Sequence, residues 1–411
     1  MVAGVRSVEL FAGAGGLALG CEIAGLNAVT VVEWDRWACD TIRENKSADY
    51  PLVRNWDVVE NDVRLMDWSG VEGPIDVVVG GPPCQPFSIG GKSRMADDPR
   101  DMFPATADVI RHLRPRAFIV ENVRGLTRAA FSNYFEYIKL RLEHPEIGSR
   151  DDELWVDHLR RLQREHTATR SAELTYRVVP TLVNAADYGV PQQRWRVFFI
   201  GFRSDVPAEW SFPDSSHSRD GLVHSQWVTG DYWDRHRIAR KHRGEPSAVV
   251  LRRARVLAEQ PPSLRPWRTV RDALLGLPEP TLNGSRKHLN HVLQPGARAY
   301  PPGHTGSPID WPAKALKAGD HGVPGGENML RRPDGSVRYF TVREAARLQT
   351  FPDRYELHGA WTEAMRQLGN AVPVLLAQKV GASVAEHLAA AAVRESADRR
   401  TARRVKRRAP A

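Results

Sequence analysis

At 411 residues the chain exceeds one core of ordinary size, so a large domain with a smaller companion is expected. With 42% hydrophobic and 26% charged residues and no long charge-free apolar run, the composition excludes a membrane-spanning protein. A formal net charge of +9 points to a polyanionic partner, and three scattered cysteines, Cys21, Cys39 and Cys84, exclude a disulfide framework and a Cys-x-x-Cys site.

The N-terminal apolar stretch carries Arg6 and Glu9 and runs into a glycine-rich turn, a pattern unlike a signal peptide, which predicts a cytoplasmic protein. The first predicted strand, SVELF, leads into Phe11-Ala12-Gly13-Ala14-Gly15-Gly16-Leu17-Ala18. Glycines there let the backbone approach a ligand closely before a helix begins. The second strand, AVTVV, ends at Glu33, about 20 residues further on, where a carboxylate in such folds accepts hydrogen bonds from ribose hydroxyls. Trp34 can stack on adenine. A structural glycine turn beside an exposed glutamate is the competing interpretation, and this pair does not separate a dinucleotide from S-adenosylmethionine.

The third strand, IDVVVG, delivers Gly80-Gly81-Pro82-Pro83-Cys84-Gln85-Pro86-Phe87-Ser88 at its carboxyl end, where α/β sheets place their sites. Prolines on both sides stiffen the backbone around Cys84, which suits a held nucleophile better than a buried packing thiol. The Gly90-Gly91-Lys92-Ser93-Arg94 stretch has hinge glycines and cations, and is expected to close over a phosphate backbone rather than remain a plain surface loop. The next strand, AFIVE, ends in Glu121-Asn122-Val123 and brings a carboxylate to the same sheet edge. An acid there can hold a ring nitrogen while a thiol attacks a pyrimidine, although a strand-end glutamate equally serves as a cap or ion-pair partner.

Residues 124–175 are charged, with helical character around Phe131 to Leu142 and Leu154 to Arg164, and read as a peripheral insertion. YRVVPTLV and RVFFIG follow as an antiparallel pair joined through Tyr188-Gly189-Val190-Pro191. Alternation places Arg194 and Arg196 of Gln192-Gln193-Arg194-Trp195-Arg196 on one face, suited to a carbonyl oxygen or phosphate, or else to surface ion pairs. From 206 to 337 the texture turns to Pro, Gly, His and Trp, which places the small domain there, with base-reading candidates spread over Trp227 to Arg243 and His304 to Arg332. His288 and His291 lack further spaced partners, so no metal site is expected. Regular structure resumes with TVREAARLQTFPD and an Ala-rich helix from about Val374, and 394–411 form a basic, solvated tail. The expected organisation is an α/β catalytic domain, discontinuous over 1–205 and 338–393, around a mostly parallel sheet with its last strand antiparallel.

FAGAGG, GGPPCQPFS, ENV, QQRWR, REAARLQTFPD and GNAVP, in this order over nearly the whole chain, strongly resemble the DNA cytosine-5 methyltransferase family of the bacterial restriction-modification type. That resemblance implies a Rossmann-like S-adenosylmethionine methyltransferase sheet with a small irregular target-recognition domain at 206–337. It implies Phe11 against the adenine, Glu33 on the ribose, Trp34 on the base, Asp62 with Val63 near the adenine amino group and Pro83 lining the pocket. Gly13, Gly15, Gly16 and Leu17 would form the cofactor turn, with Asn370 and Val372 closing it. Cys84 resembles the nucleophile, Glu121 the group on ring nitrogen 3, and Arg196 with Arg194 the contacts to the target base.

The activity so implied is methylation of carbon 5 of a cytosine flipped out of double-stranded DNA, by a monomer paired in function with a restriction endonuclease. An RNA cytosine methyltransferase is the nearest rival, disfavoured by the long 206–337 region. A catalytically inactive DNA-binding homologue conflicts with intact Cys84 and Glu121. A nicotinamide oxidoreductase gives no role to Cys84, Glu121 and Arg196 together.

Overall fold

The computed structural model describes residues 4–83, 101–168, 173–299, 305–318 and 326–408. Seven strands form the central sheet: β1 (Val5–Leu10), β2 (Leu26–Glu33), β3 (Asp57–Glu60), β4 (Val77–Gly80), β5 (Ala117–Val123), β6 (Tyr176–Asn184) and β7 (Trp195–Arg203). Their order is β3-β2-β1-β4-β5-β7-β6, with β1 to β5 pairing in parallel and β7 antiparallel to both neighbours. This is the doubly wound α/β sheet expected from the alternating apolar runs. One strand of this sheet lies outside the predicted apolar runs: β3, Asp-Val-Val-Glu, is a short edge strand that buries neither end.

Side-chain alternation sends successive residues of each strand to opposite cores. On one face Val78, Phe118, Val120, Val197 and Phe199 pack beneath α3 (Phe103–Leu113) and α4 (Ser132–Glu143). On the other, Val77, Val79, Ile119, Phe198 and Ile200 pack against α1 (Gly16–Ile23) and α12 (Val374–Arg408). Burying each such side chain contributes roughly 1.5–3 kcal/mol. Phe118 faces Gly201 across the β5/β7 ladder, and a Cβ there would come within 2.2 Å of the Phe118 ring.

Helix α2 (Arg36–Ser47) starts on an Asp35 side-chain cap and covers the β2 edge, while α5 (Trp155–Thr167) packs on α4. The 124–175 region, expected to be a peripheral insertion, is not peripheral throughout. Tyr134, Tyr137, Ile138 and Leu142 of α4 lie in the core with Phe199, so α4 covers the sheet in the crossover from β5 to β6. Packing, more than the charged composition, decides its place.

The 206–337 region carries more helix than its composition suggested: α6 (Arg219–Trp227), α7 (Asp231–Arg235), α8 (Ala248–Glu259) and α9 (Val270–Leu274). Trp233 and Tyr232, within the stretch proposed to read bases, are buried with Leu222 and Trp267 in a small core. Val270, Ala313, Leu316 and Leu330 instead join the core of α10 (Val342–Leu348) and α11 (Trp361–Asn370), so the region's later segments are built into the large domain. Helix α12 packs on the sheet as expected and continues as helix to Arg408. Its start in the tail is anchored, with Arg394 donating to the Pro207 carbonyl at 3.2 Å and Glu395 pairing with Arg116 at 2.6 Å. Cys21 and Cys39 are free and buried, and among the described residues no helix is long and apolar enough to cross a membrane.

Candidate active site

The carboxyl ends of β1, β2, β4 and β5 lie side by side because these strands are parallel neighbours. At the end of β1, Phe11 adopts φ 53° and Gly13 φ 54°. A left-handed backbone costs an aromatic residue about 1–2 kcal/mol, so the turn is held by its surroundings. The Glu33 carboxylate supplies much of that hold: Oε2 accepts from the Gly13 N–H at 2.7 Å, and Oε1 from the Trp34 and Asp35 N–H groups at 2.8 Å each. Burial pushes the Glu33 pKa up against the lowering effect of these three donors. From the C-terminal segment, Tyr355 donates its hydroxyl to the Ala14 carbonyl at 3.0 Å.

Gly15, at φ 85°, caps the start of α1. Gly16 serves packing: a Cβ there would sit 2.5 Å from the Val372 carbonyl oxygen, so only glycine lets α1 approach the Asn-Ala-Val-Pro segment. Leu17 and Val372 are buried together, and Asn370 is exposed beside them at the end of α11. Trp34 is 67% exposed and free of the core. Asp62 sits beyond β3, where the Asn61 N–H donates to the Glu33 carbonyl at 3.0 Å. The Asp62 carboxylate pairs with Arg64 at 2.6 Å, which lowers its pKa, and the Val63 side chain is buried.

These residues fit an adenosyl group. A Cβ on Gly13 would meet nothing within 4 Å, Trp34 presents an unburied aromatic face, and Glu33 offers carboxylate lone pairs between them.

Two further contacts join β4 to β5. Asn122 donates Nδ2–H to the Pro82 carbonyl at 2.9 Å, and a Cβ on Gly81 would lie 3.1 Å from Glu121 Oε2. Gly81 therefore makes room for the carboxylate, and Asn122 fixes the chain two residues before position 84. Pro83 is the last described residue of that segment; Cys84 and Gly90 to Arg94 lie outside the described residues, as does His304.

Glu121 is 7% exposed, and its Oε1 lies 2.5 Å from Arg196 Nε across the β5/β7 ladder. Burial raises the Glu121 pKa, opposed first by Arg196 and then by Arg194. The two arginines share the strand face expected from alternation but differ in employment. Arg194 is 1% exposed and donates to the carbonyls of Leu316 at 3.1 Å and Gly369 at 2.5 Å. It therefore locks internal segments together and does not present its guanidinium to a base, a correction to the expectation placed on it. Burial drives its pKa well down.

Asn122 and Gln192 are functional residues whose tasks the sequence does not reveal. Gln192 joins Leu316 and Leu348 through its side-chain amide, in parallel with Arg194. The alternation of Gln192, Arg194 and Arg196 is the signal that was available. His291 is buried with its ring nitrogens on Thr341 Oγ1 at 2.9 Å and the Pro278 carbonyl at 2.8 Å, so both are engaged within the protein.

The C-5 cytosine-specific DNA methylase family model matches residues 5–146, 156–245 and 298–386. The chain is 29% identical over 382 residues to the Type II methyltransferase M.NgoMIV of Neisseria gonorrhoeae, covering 93% of this chain and 97% of that one. It is 30% identical over 383 residues to M.Eco47II of Escherichia coli, covering 92% and 78%. The fold is shared with a protein described as a putative DNA modification methyltransferase encoded within an E. coli prophage (TM-score 0.58, 20% identity, 93% and 99% covered). It is also shared with S. pombe Dnmt2 methyltransferase (TM-score 0.54, 18% identity, 93% and 98% covered).

Proposed function

Because the chain belongs to the C-5 cytosine-specific DNA methylase family, we propose that it methylates carbon 5 of a cytosine flipped out of a specific duplex DNA sequence, using S-adenosylmethionine and a covalent adduct with Cys84. The observation that carries this reading is the buried Glu121–Arg196 pair, packed over Gly81 three residues before Cys84.

Ring carbon 5 of cytosine is a weak nucleophile. Addition of the Cys84 thiolate to carbon 6 forms a carbon–sulfur bond and moves electron density to carbon 5. Glu121 would share a proton with ring nitrogen 3 as that bond forms and take it back on elimination, while Arg196, 2.5 Å from its carboxyl, holds that group in place. Glu33 and Trp34 would hold S-adenosylmethionine, which would offer carbon 5 an electrophilic methyl group, its sulfur keeping the bonding electrons and leaving as the neutral thioether. Carbon 5 takes the methyl and then loses its proton to a base, and the carbon–sulfur bond breaks to return the thiolate. Extracting the base from the stack costs roughly a few kcal/mol.

The Type II relatives support a modification enzyme partnered with a restriction endonuclease. One asymmetric monomer suffices for one flipped base, and a cytoplasmic location fits the reduced cysteines.

The test is incubation with S-adenosylmethionine and duplex DNA containing 5-fluorocytosine, beside Cys84→Ala. Fluorine cannot leave as a proton, so the reading expects a denaturation-resistant protein–DNA adduct with the wild type alone. Folded, cofactor-bound protein that gives no adduct would overturn it.

A further inference from the structure

Away from the sheet edge, the carboxyl ends of α4 and α5 meet. Glu143 is the last residue of α4, His144 caps it, and His166 lies in the last turn of α5. His144 Nε2 and His166 Nδ1 are 2.9 Å apart, and Glu143 Oε2 is 3.8 Å from His166 Nδ1. All three donor atoms lie within 4.8 Å of one another, the one such group of three or more His, Cys, Asp or Glu among the described residues.

We propose that Glu143, His144 and His166 bind a divalent transition-metal ion of the zinc class, which clips α4 to α5. Two imidazoles and one carboxylate form a donor set suited to zinc, with a water as fourth ligand. Bonds of about 2.0–2.2 Å in a tetrahedron place donor atoms roughly 3.3–3.5 Å apart, within a few tenths of an ångström of the two spacings observed.

A histidine–histidine hydrogen bond alone accounts for the 2.9 Å contact but leaves the carboxylate unexplained. Glu143 is 8% exposed, and its buried Oε2 has no hydrogen-bond donor, while Oε1 pairs with Lys139 at 3.3 Å. A buried carboxylate oxygen without a donor is costly, and a cation directed at it removes that cost. The negative ends of two helix dipoles also converge there, and they favour positive charge. Nothing in the sequence announced the site, because His144 and His166 stand 22 residues apart and only the packing of α5 on α4 unites them.

The experiment uses untagged, chelator-treated full-length protein, titrated with zinc chloride in a calorimeter and melted with and without zinc. Wild type is expected to bind about one equivalent with a rise in Tm at saturation. His166→Ala, at an exposed position, and Glu143→Gln, nearly isosteric, should each weaken that affinity at least about tenfold and remove most of the Tm rise. Methylation by the zinc-free variants should match that of the zinc-free wild type, since neither residue is near the cytosine site. Equal zinc affinity and equal Tm shifts in the wild type and both variants would overturn the proposal, as would a wild type that binds no zinc.

Discussion

Asn122 Nδ2 donates to the Pro82 carbonyl at 2.9 Å, which ties the residue after the site carboxylate to the segment that carries the cysteine. Both groups are buried, so removing the donor leaves a carbonyl without its partner at a cost of about 1–3 kcal/mol. That cost falls on the Pro82 backbone, two residues before Cys84 in the sequence. Asn122→Ala is therefore expected to lower kcat by about 5- to 150-fold while S-adenosylmethionine affinity changes little. Single-turnover methylation and equilibrium cofactor binding separate the two quantities. A variant that loses cofactor affinity and keeps its single-turnover rate would contradict the positioning role.

Arg194 and Arg196 make a second prediction by contrast. Arg194→Ala orphans the Leu316 and Gly369 carbonyls, and Gly369 directly precedes the Asn370 to Val372 segment. It should destabilise the protein by about 3 kcal/mol or more and weaken cofactor binding. Arg196→Ala, with a side chain 12% exposed at the site mouth, should lose most activity at a smaller cost in stability. Denaturant melts beside activity assays decide it, and equal loss of stability in both variants would show that the two arginines share one structural task.

How much of this could be read from the chain depends on where the information resides. Apolar runs bounded by glycine gave six of the seven sheet strands, because burial on both faces writes a continuous hydrophobic signal. β3 was invisible because an edge strand of four residues carries two exposed acids and only two valines. The places of Glu33, Glu121 and Arg196 at one edge of the sheet were legible because each stands at or near a strand end. The bracing tasks of Arg194 and Asn122 were not, since each is defined by carbonyls from distant segments. Tryptophans 227 and 233 show the opposite failure: composition suggested a reading surface where the chain builds a small core.

Trp34 tests the cofactor pocket without disturbing the fold. At 67% exposure it contributes little packing, so Trp34→Ala should stay within about 0.5 kcal/mol of wild-type stability. Stacking of a base on an aromatic ring is worth about 1–3 kcal/mol, so S-adenosylmethionine should bind about 5- to 150-fold more weakly. Calorimetric titration measures it. Unchanged affinity would remove Trp34 from the pocket and leave the adenine to Phe11 alone.

The last prediction concerns Glu9, inside β1 at 1% exposure, with an Oε1 that has no hydrogen-bond partner. Burial, reinforced by the nearby Glu22 charge, pushes its pKa from an ordinary 4.5 to about 8. The folded chain therefore keeps a proton that the unfolded chain releases. Its stabilising effect is complete below about pH 4.5 and fades as the pH rises through about 8. Over that window the wild type should lose up to about 1.4 kcal/mol per pH unit through this one group. Glu9→Gln mimics the protonated form at every pH, so it should match the wild type near pH 4 and exceed it by a few kcal/mol near pH 8. Urea melts at several pH values in that range provide the comparison. Parallel curves for the two proteins would mean that Glu9 is ionised in the folded state and finds a compensating partner.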